Sequence, residues 1–314
     1  MRRNDMRHLS AEDRPEVIEA PPLGSHYEVG GRRLMLHRSG SGDPAVVFLP
    51  GAGLVGLDFL NLQQQMAELT TSVLYDRAGT GWSERTDLPR SAVEVAGELR
   101  DLLRAAGVPA PYLLVAHSLG AFYARRFAQL FPGEVAGLLL LDPGHEDISD
   151  HMPAEAAELN EQMKLDPEQM PELTDEQLEA SRSALAQIYA EWPDSVREPL
   201  VEHHLLEWRT GIQETANFES ELYDELRQGG ELPDVPLIVV TAMGRNPYWA
   251  KFASGDVERR MHDGLRDLHA AIAASVPRGE QRVLDDAQHQ YIHIEHPDAV
   301  LHAIRDLLDE AGTS

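Results

Sequence analysis

Cysteine is absent from the 314 residues. That removes disulfides, thiolate nucleophiles and cysteine-based metal sites, without by itself fixing a compartment. Lysine is nearly absent too: Lys164 and Lys251 are the only two, so the basic side chains are almost all arginine. There is no run of about 18 apolar residues, which argues against a helical membrane span. The start of the chain, from Met1 to His8, is basic but has no apolar stretch behind it. No secretory signal is read there, and a cytoplasmic location is the expectation. Positive charge is scarce, with 27 Lys and Arg against 53 Asp and Glu and a formal charge of −26. Such a surface repels nucleic acid and anionic membranes, so the expected partner is a neutral or cationic small molecule. Apolar residues make up 42% of the chain, enough to bury a large core. A soluble globular protein is expected, with its oligomeric state left open.

What is present is clearest at residues 111–123. The apolar run Tyr112-Leu113-Leu114-Val115-Ala116 breaks at His117-Ser118 and resumes with helical spacing from Gly120. A strand, a sharp turn and a helix follow from that pattern. A serine on such a turn has its hydroxyl held clear of the backbone, at the mouth of a sheet, where a base can reach it. Ala116 and Gly120, two before and two after Ser118, are small because strand and helix backbones pass close together there. Ala116-His117-Ser118-Leu119-Gly120 resembles the nucleophile elbow of the α/β-hydrolase superfamily, usually Gly-x-Ser-x-Gly, with alanine keeping the size requirement.

Taken in order, residues 1–22 are polar and end in Pro21-Pro22, so a flexible extension is expected. Short apolar stretches at 27–29 and 33–37, parted by Gly30-Gly31, predict an antiparallel hairpin. Residues 45–49 form a continuous apolar run ending at Pro50-Gly51-Ala52-Gly53, whose glycines leave backbone N–H groups free to face a ligand. A helix fits 59–69 and a strand 73–75. That strand enters Asp76-Arg77-Ala78-Gly79-Thr80-Gly81-Trp82-Ser83, which closely resembles the superfamily's Asp-Arg-x-Gly-x-Gly-x-Ser turn. A structural role is assigned to it, with Asp76 and Arg77 fixing loops beneath the site. Helices at 92–106 and 120–131 alternate with the strand at 135–141. The pattern predicts an α/β chain with a mostly parallel sheet and helices on both faces, the α/β-hydrolase fold, with ligands beyond the carboxyl ends of the strands.

No strand pattern appears between 146 and 233. Helices at 154–163, 175–192, 195–217 and 220–227 predict a helical cap inserted into a core of residues 23–145 and 234–314. Trp82 at the pocket mouth and Tyr189, Trp192 and Trp208 in the cap are the candidate substrate-binding residues, with the cap's own core as the alternative place for any single cap aromatic. His203 and His204 are adjacent, point to different sides of a helix and make a poor metal pair. Strands at 236–242 and 281–284 and helices at 257–275 and 298–308 complete the pattern.

Serine is a poor nucleophile at neutral pH, so Ser118 needs a base, and histidine has a suitable pKa. His289 stands in the loop past the last strand. The Glu295-His296-Pro297 that follows resembles the superfamily's ending, and His293 is the runner-up. Most relatives carry the acid after the strand that here ends at Ala242, yet residues 243–247 hold none. Asp142, after the strand that follows the elbow helix, matches the position used by some relatives, haloalkane dehalogenases among them. It is preferred to Asp256. The resemblance also places the oxyanion donors at the N–H groups of Ala52 and Leu119.

The implied chemistry is acyl transfer: His289 deprotonates Ser118, an acyl-enzyme forms, and water releases it. An ester or lactone is the expected substrate, and neither cofactor nor metal is required. Dehalogenases and epoxide hydrolases of the superfamily resemble one another in an aspartate nucleophile, so Ser118 counts against both. The alternatives are a catalytically silent small-molecule binding protein, or amide, C–C bond, acyl-transfer or cofactor-free peroxidase chemistry on the same residues.

Overall fold

Eight strands form one sheet in the computed structural model, which describes residues 20–312 except 165, 167, 168, 247 and 248. Most of the extension expected at 1–22 therefore lies outside the described residues. The strands are β1 (Ser25–Val29), β2 (Arg32–Ser39), β3 (Ala45–Leu49), β4 (Ser72–Tyr75), β5 (Tyr112–His117), β6 (Val135–Leu141), β7 (Leu237–Ala242) and β8 (Gly279–Leu284). Their spatial order is β1-β2-β4-β3-β5-β6-β7-β8. β1 and β2 are a hairpin closed by Gly30 and Gly31 at φ +57° and +83°, a turn that needs glycine-like freedom at both positions. β2 meets β4 antiparallel, and all later pairs are parallel.

β3 and β5 are buried along their whole length, as strands covered on both faces must be. Their side chains divide by alternation. Val47, Leu49 and Leu114 pack on one face with α2 (Ala92–Ala105), α3 (Gly120–Leu130) and residues later in the chain such as Leu268 and Ile272. Val46, Phe48 and Val115 pack on the other, with α1 (Leu60–Met66) and the C-terminal residues Val300, Leu301 and Ile304. Burying each such side chain contributes about 1.5–3 kcal/mol before chain entropy is counted. α2 shows how local sequence sets an element: Ser91 accepts from the Glu94 N–H, and Val95, Leu99, Leu102 and Leu103 form its buried stripe.

Between β6 and β7 the described residues hold only helices and turns. They are α4 (Ile148–His151), α5 (Glu155–Met163), α6 (Asp175–Ile188), α7 (Asp194–Leu206), α8 (Thr210–Glu214), a wide turn at Phe218–Leu222 and α9 (Tyr223–Gln228). The single helix expected at 195–217 is broken after Leu206. The break sets α8 against the 50–53 loop, where a Cβ on Gly211 would stand 3.2 Å from the Gly53 nitrogen. The helix expected at 175–192 stops at Ile188, and Pro193 then caps α7. α10 (Trp249–Phe252) and α12 (Ile292–Glu295) are too short to show periodicity in sequence. α11 (Gly255–Ala274) and α13 (Pro297–Gly312) complete the chain. No helix among the described residues is long and apolar enough to cross a membrane.

Candidate active site

β5 ends at His117 and α3 begins at Gly120, so Ser118 stands in the turn between them at φ +49°, a conformation costly for any side chain. The turn is tight because the α3 start meets β3: a Cβ on Gly120 would lie 2.2 Å from the Leu49 carbonyl oxygen. The Ser118 N–H bonds to the Leu141 oxygen at 3.1 Å, and the Asp142 N–H to the Val240 oxygen at 2.7 Å. Sheet register thereby brings the ends of β5, β6 and β7 level. Asp142 also has positive φ, +44°.

The loop after β8 brings the third side chain. His289 Nδ1 is 2.6 Å from Asp142 Oδ2, and its Nε2 is 3.0 Å from Ser118 Oγ. An ionised carboxylate only accepts, so Nδ1 carries the proton and Nε2 is left to accept from the serine hydroxyl. Asp142 Oδ1 accepts from the Ala242 N–H at 2.9 Å. Burial opposes the charge on Asp142, but the bond from His289, the nearby imidazoles and the Ala242 N–H outweigh it and hold the carboxyl below the ordinary range.

Behind the carboxylate lies a residue the sequence reading missed. His269, on the buried stripe of α11, donates from Nε2 to the Pro143 carbonyl at 3.1 Å. Its Nδ1 accepts from the Thr241 hydroxyl at 3.0 Å and lies 3.8 Å from Asp142 Oδ1. Burial lowers its pKa, so a neutral ring pins the 142–143 turn. A histidine among Met261, Leu265, Leu268 and Ile272 is the signal that could have found it.

The runners-up stand elsewhere. Asp256, at the start of α11, is 62% exposed and paired with Arg259 and Arg260. His293 is fully buried and stacked on Phe59 at 4.2 Å, with neither ring nitrogen bonded to a side chain among the described residues.

On the other flank, the 50–53 loop lies against the elbow: a Cβ on Gly51 would stand 2.5 Å from His117 Nδ1 and 3.3 Å from Ser118 Cβ. The N–H groups of Ala52 and Leu119 have no hydrogen-bond partner among the described residues. Arg77 holds this loop, donating to the Pro50 oxygen at 2.7 Å and the Gly51 oxygen at 3.0 Å. Asp76 accepts from the N–H groups of Gly56 and Trp82, both at 2.8 Å. These are the loop-fixing contacts expected of that turn.

Of the aromatic candidates, the two at 189 and 192 take the core alternative. Tyr189 and Trp192 are core residues, 1% and 4% exposed. Tyr189 donates to Asp58 Oδ1 at 2.5 Å, and Trp192 Nε1 to the Leu57 oxygen at 2.8 Å. Their polar atoms fasten the helices after β6 to the turn at Gly56–Phe59. Trp82 is buried with its ring 5.2 Å from that of His203, and Trp208 lies under the Arg209 guanidinium at 4.2 Å. Sequence marks an aromatic side chain but not which way the turn that carries it faces. Among the described residues no cluster of three or more His, Asp or Glu side chains could hold a metal ion.

A sequence model of the alpha/beta hydrolase family matches residues 46–303. The chain is 36% identical over 111 residues to the uncharacterized protein YqjL of Bacillus subtilis, which is 35% of this chain and 44% of that one. It is 28% identical over 123 residues to YbdG of the same organism, 38% of each. The chain thus spans less than half the length of these curated relatives. Among solved structures it resembles a thermophilic esterase from Thermogutta terrifontis (TM-score 0.56, 18% identity, 91% of this chain and 98% of that one). It also resembles a mutant epoxide hydrolase from Vigna radiata (TM-score 0.67, 18%, 91% and 98%). A third is Est816, an N-acyl homoserine lactone degrading enzyme (TM-score 0.58, 19%, 90% and 99%). Identities this low speak to the fold. The match over residues 46–303, the mostly parallel eight-stranded sheet and the strained serine at its centre agree: the chain belongs to the alpha/beta hydrolase family.

Proposed function

We propose that the protein is a serine hydrolase that cleaves a carboxylic ester or lactone of a small molecule through an acyl-enzyme on Ser118. One observation carries this reading: the unbroken hydrogen-bonded run from Ser118 Oγ through His289 to Asp142. In the proposed cycle Nε2 of His289 takes the serine proton as Oγ attacks the carbonyl carbon, and Asp142 stabilises the imidazolium. The Ala52 and Leu119 N–H groups receive the oxyanion. His289 then protonates the leaving alkoxide, and the same ring activates the water that releases the acid. In a lactone the alkoxide stays tethered, so one ring-opened hydroxy acid results. Est816's lactone substrate supports placing lactones beside simple esters. The charge of −26 favours neutral or cationic substrates. Serine rather than a carboxylate at the elbow counts against epoxide opening, despite the epoxide hydrolases of similar fold.

The test is labelling of folded protein with a fluorophosphonate, alongside turnover of p-nitrophenyl esters and lactones of graded length. A single adduct on Ser118, absent in Ser118→Ala, is expected. Folded protein that takes no adduct and turns over no ester would sink the reading.

A further inference from the structure

Glu214, at the end of α8, is buried with Arg77, each side chain 2% exposed. Its Oε1 accepts from Arg77 Nε at 2.9 Å and Nη2 at 2.7 Å, and its Oε2 accepts from the Gly53 N–H at 2.8 Å. Arg77 reaches the Pro50 and Gly51 oxygens with the same guanidinium. Together the two side chains grip the peptide groups on either side of Ala52. The Gly51 carbonyl and the Ala52 N–H belong to one planar trans peptide and point in opposite directions. Holding the oxygen towards Arg77 therefore turns the N–H away from it, and that N–H meets no partner among the described residues. On the far side of Ala52, Gly53 at φ +72° is clamped by Glu214 and by the backbone of Gly211.

We propose that Glu214 is a positioning residue: from the helical segment between β6 and β7 it locks Arg77 and Gly53 so that the Ala52 N–H faces the developing oxyanion. The inference rests on the acyl-transfer reading given above. It makes the loop's alignment depend on α8 being seated, because the Glu214 carboxylate departs with that helix. Arg77 alone keeps two carbonyl contacts, but its Nε then faces no acceptor and the Gly53 N–H is released. Glutamine at 214 has the shape of glutamate but one acceptor oxygen in place of two, and its amide faces either the guanidinium or the Gly53 N–H, donor against donor.

The experiment compares wild type, Glu214→Gln and Glu214→Asp, and the paired change Arg77→Leu with Glu214→Leu. The pair leaves no buried charge unmatched, so it keeps a folded test available if the single variants do not fold. For a p-nitrophenyl ester, kcat is expected to fall about 10- to 100-fold in Glu214→Gln and at least as far in the paired variant, with KM within about threefold. Glu214→Asp, which keeps the charge, recovers part of the loss. The pH–rate midpoint stays where wild type has it, since the Ser118, His289 and Asp142 contacts are untouched. A folded Glu214→Gln or paired variant with wild-type kcat, or one that changes KM alone, would overturn the proposal while leaving the serine-hydrolase reading intact. Wild type that neither labels nor turns over would remove that reading, and this inference with it.

Discussion

The imidazole of His117 donates from Nε2 to the main-chain carbonyl of His289 at 2.8 Å, so the residue before the candidate nucleophile holds the loop of the candidate base. Its Nδ1 is a buried lone pair without a partner among the described residues. Burial, with the His289 and His293 rings close by, pushes its pKa well below the usual 6.5 and keeps the ring neutral. His117→Phe keeps a ring there but loses the donor. The expected outcome in ester turnover is a kcat about 10- to 100-fold lower at nearly constant KM. Unchanged kcat would show that the loop needs no such anchor.

The two acids separate cleanly in a substitution test. Asp142→Asn keeps the shape but presents an amide to His289 Nδ1, which favours the wrong tautomer, and kcat is expected to fall by about 10³–10⁴. Asp256→Asn touches only an exposed pair with Arg259 and Arg260 and leaves kcat unchanged. Steady-state rates of the two variants decide it, and the reverse ranking would displace Asp142.

Acid is expected to destabilise the fold through its buried histidines. Burial drives His145, His203 and His293 down to about 4, and His117 is lowered too. The unfolded chain takes up these protons near 6.5 while the native state refuses them. The share of stability linked to these histidines is therefore full above pH 6.5 and falls between 6.5 and about 4, by about 1.4 kcal/mol per pH unit for each histidine. His204 runs the other way. Burial opposes its charge, but Asp58, 2.9 Å from Nε2, raises its pKa, so its contribution is present below 6.5 and fades as pH rises through the raised value. Denaturant unfolding at pH 7, 6 and 5 measures the slope, and His203→Asn should flatten it; a flat wild-type profile contradicts the assignment.

Tyr189→Phe discriminates between docking and substrate binding. Removing the hydroxyl that donates to the fully buried Asp58 is expected to cost about 1.5–3 kcal/mol of stability while KM stays put. A raised KM with unchanged unfolding would return Tyr189 to the pocket.

Much of the frame was legible because the signals are local. The apolar runs at 45–49 and 112–116 read as buried strands from length and composition, and the small residue at 120 answers to the Leu49 carbonyl beside it. Ser118, Asp142 and His289 were chosen from their places after strands together with a resemblance to the superfamily's elbow, acid position and ending, and the structure sets them in hydrogen-bonding distance. Side chains that act across the fold were not legible. Glu214 is 137 residues from Arg77 and His269 is 126 from Pro143, and nothing beside either announces its partner. Tyr189 and Trp192 could be read either as lining or as core until Asp58 and the Leu57 carbonyl claimed their polar atoms.

The imidazole that meets Ser118 lies 171 residues further along the chain, beyond the outermost parallel strand. In a chain that has formed the elbow but not docked the residues after β8, Ser118 therefore lacks its His289 contact. The hydrogen-bonded run from Ser118 to Asp142 thus closes on contacts of high sequence separation, the kind that form slowly.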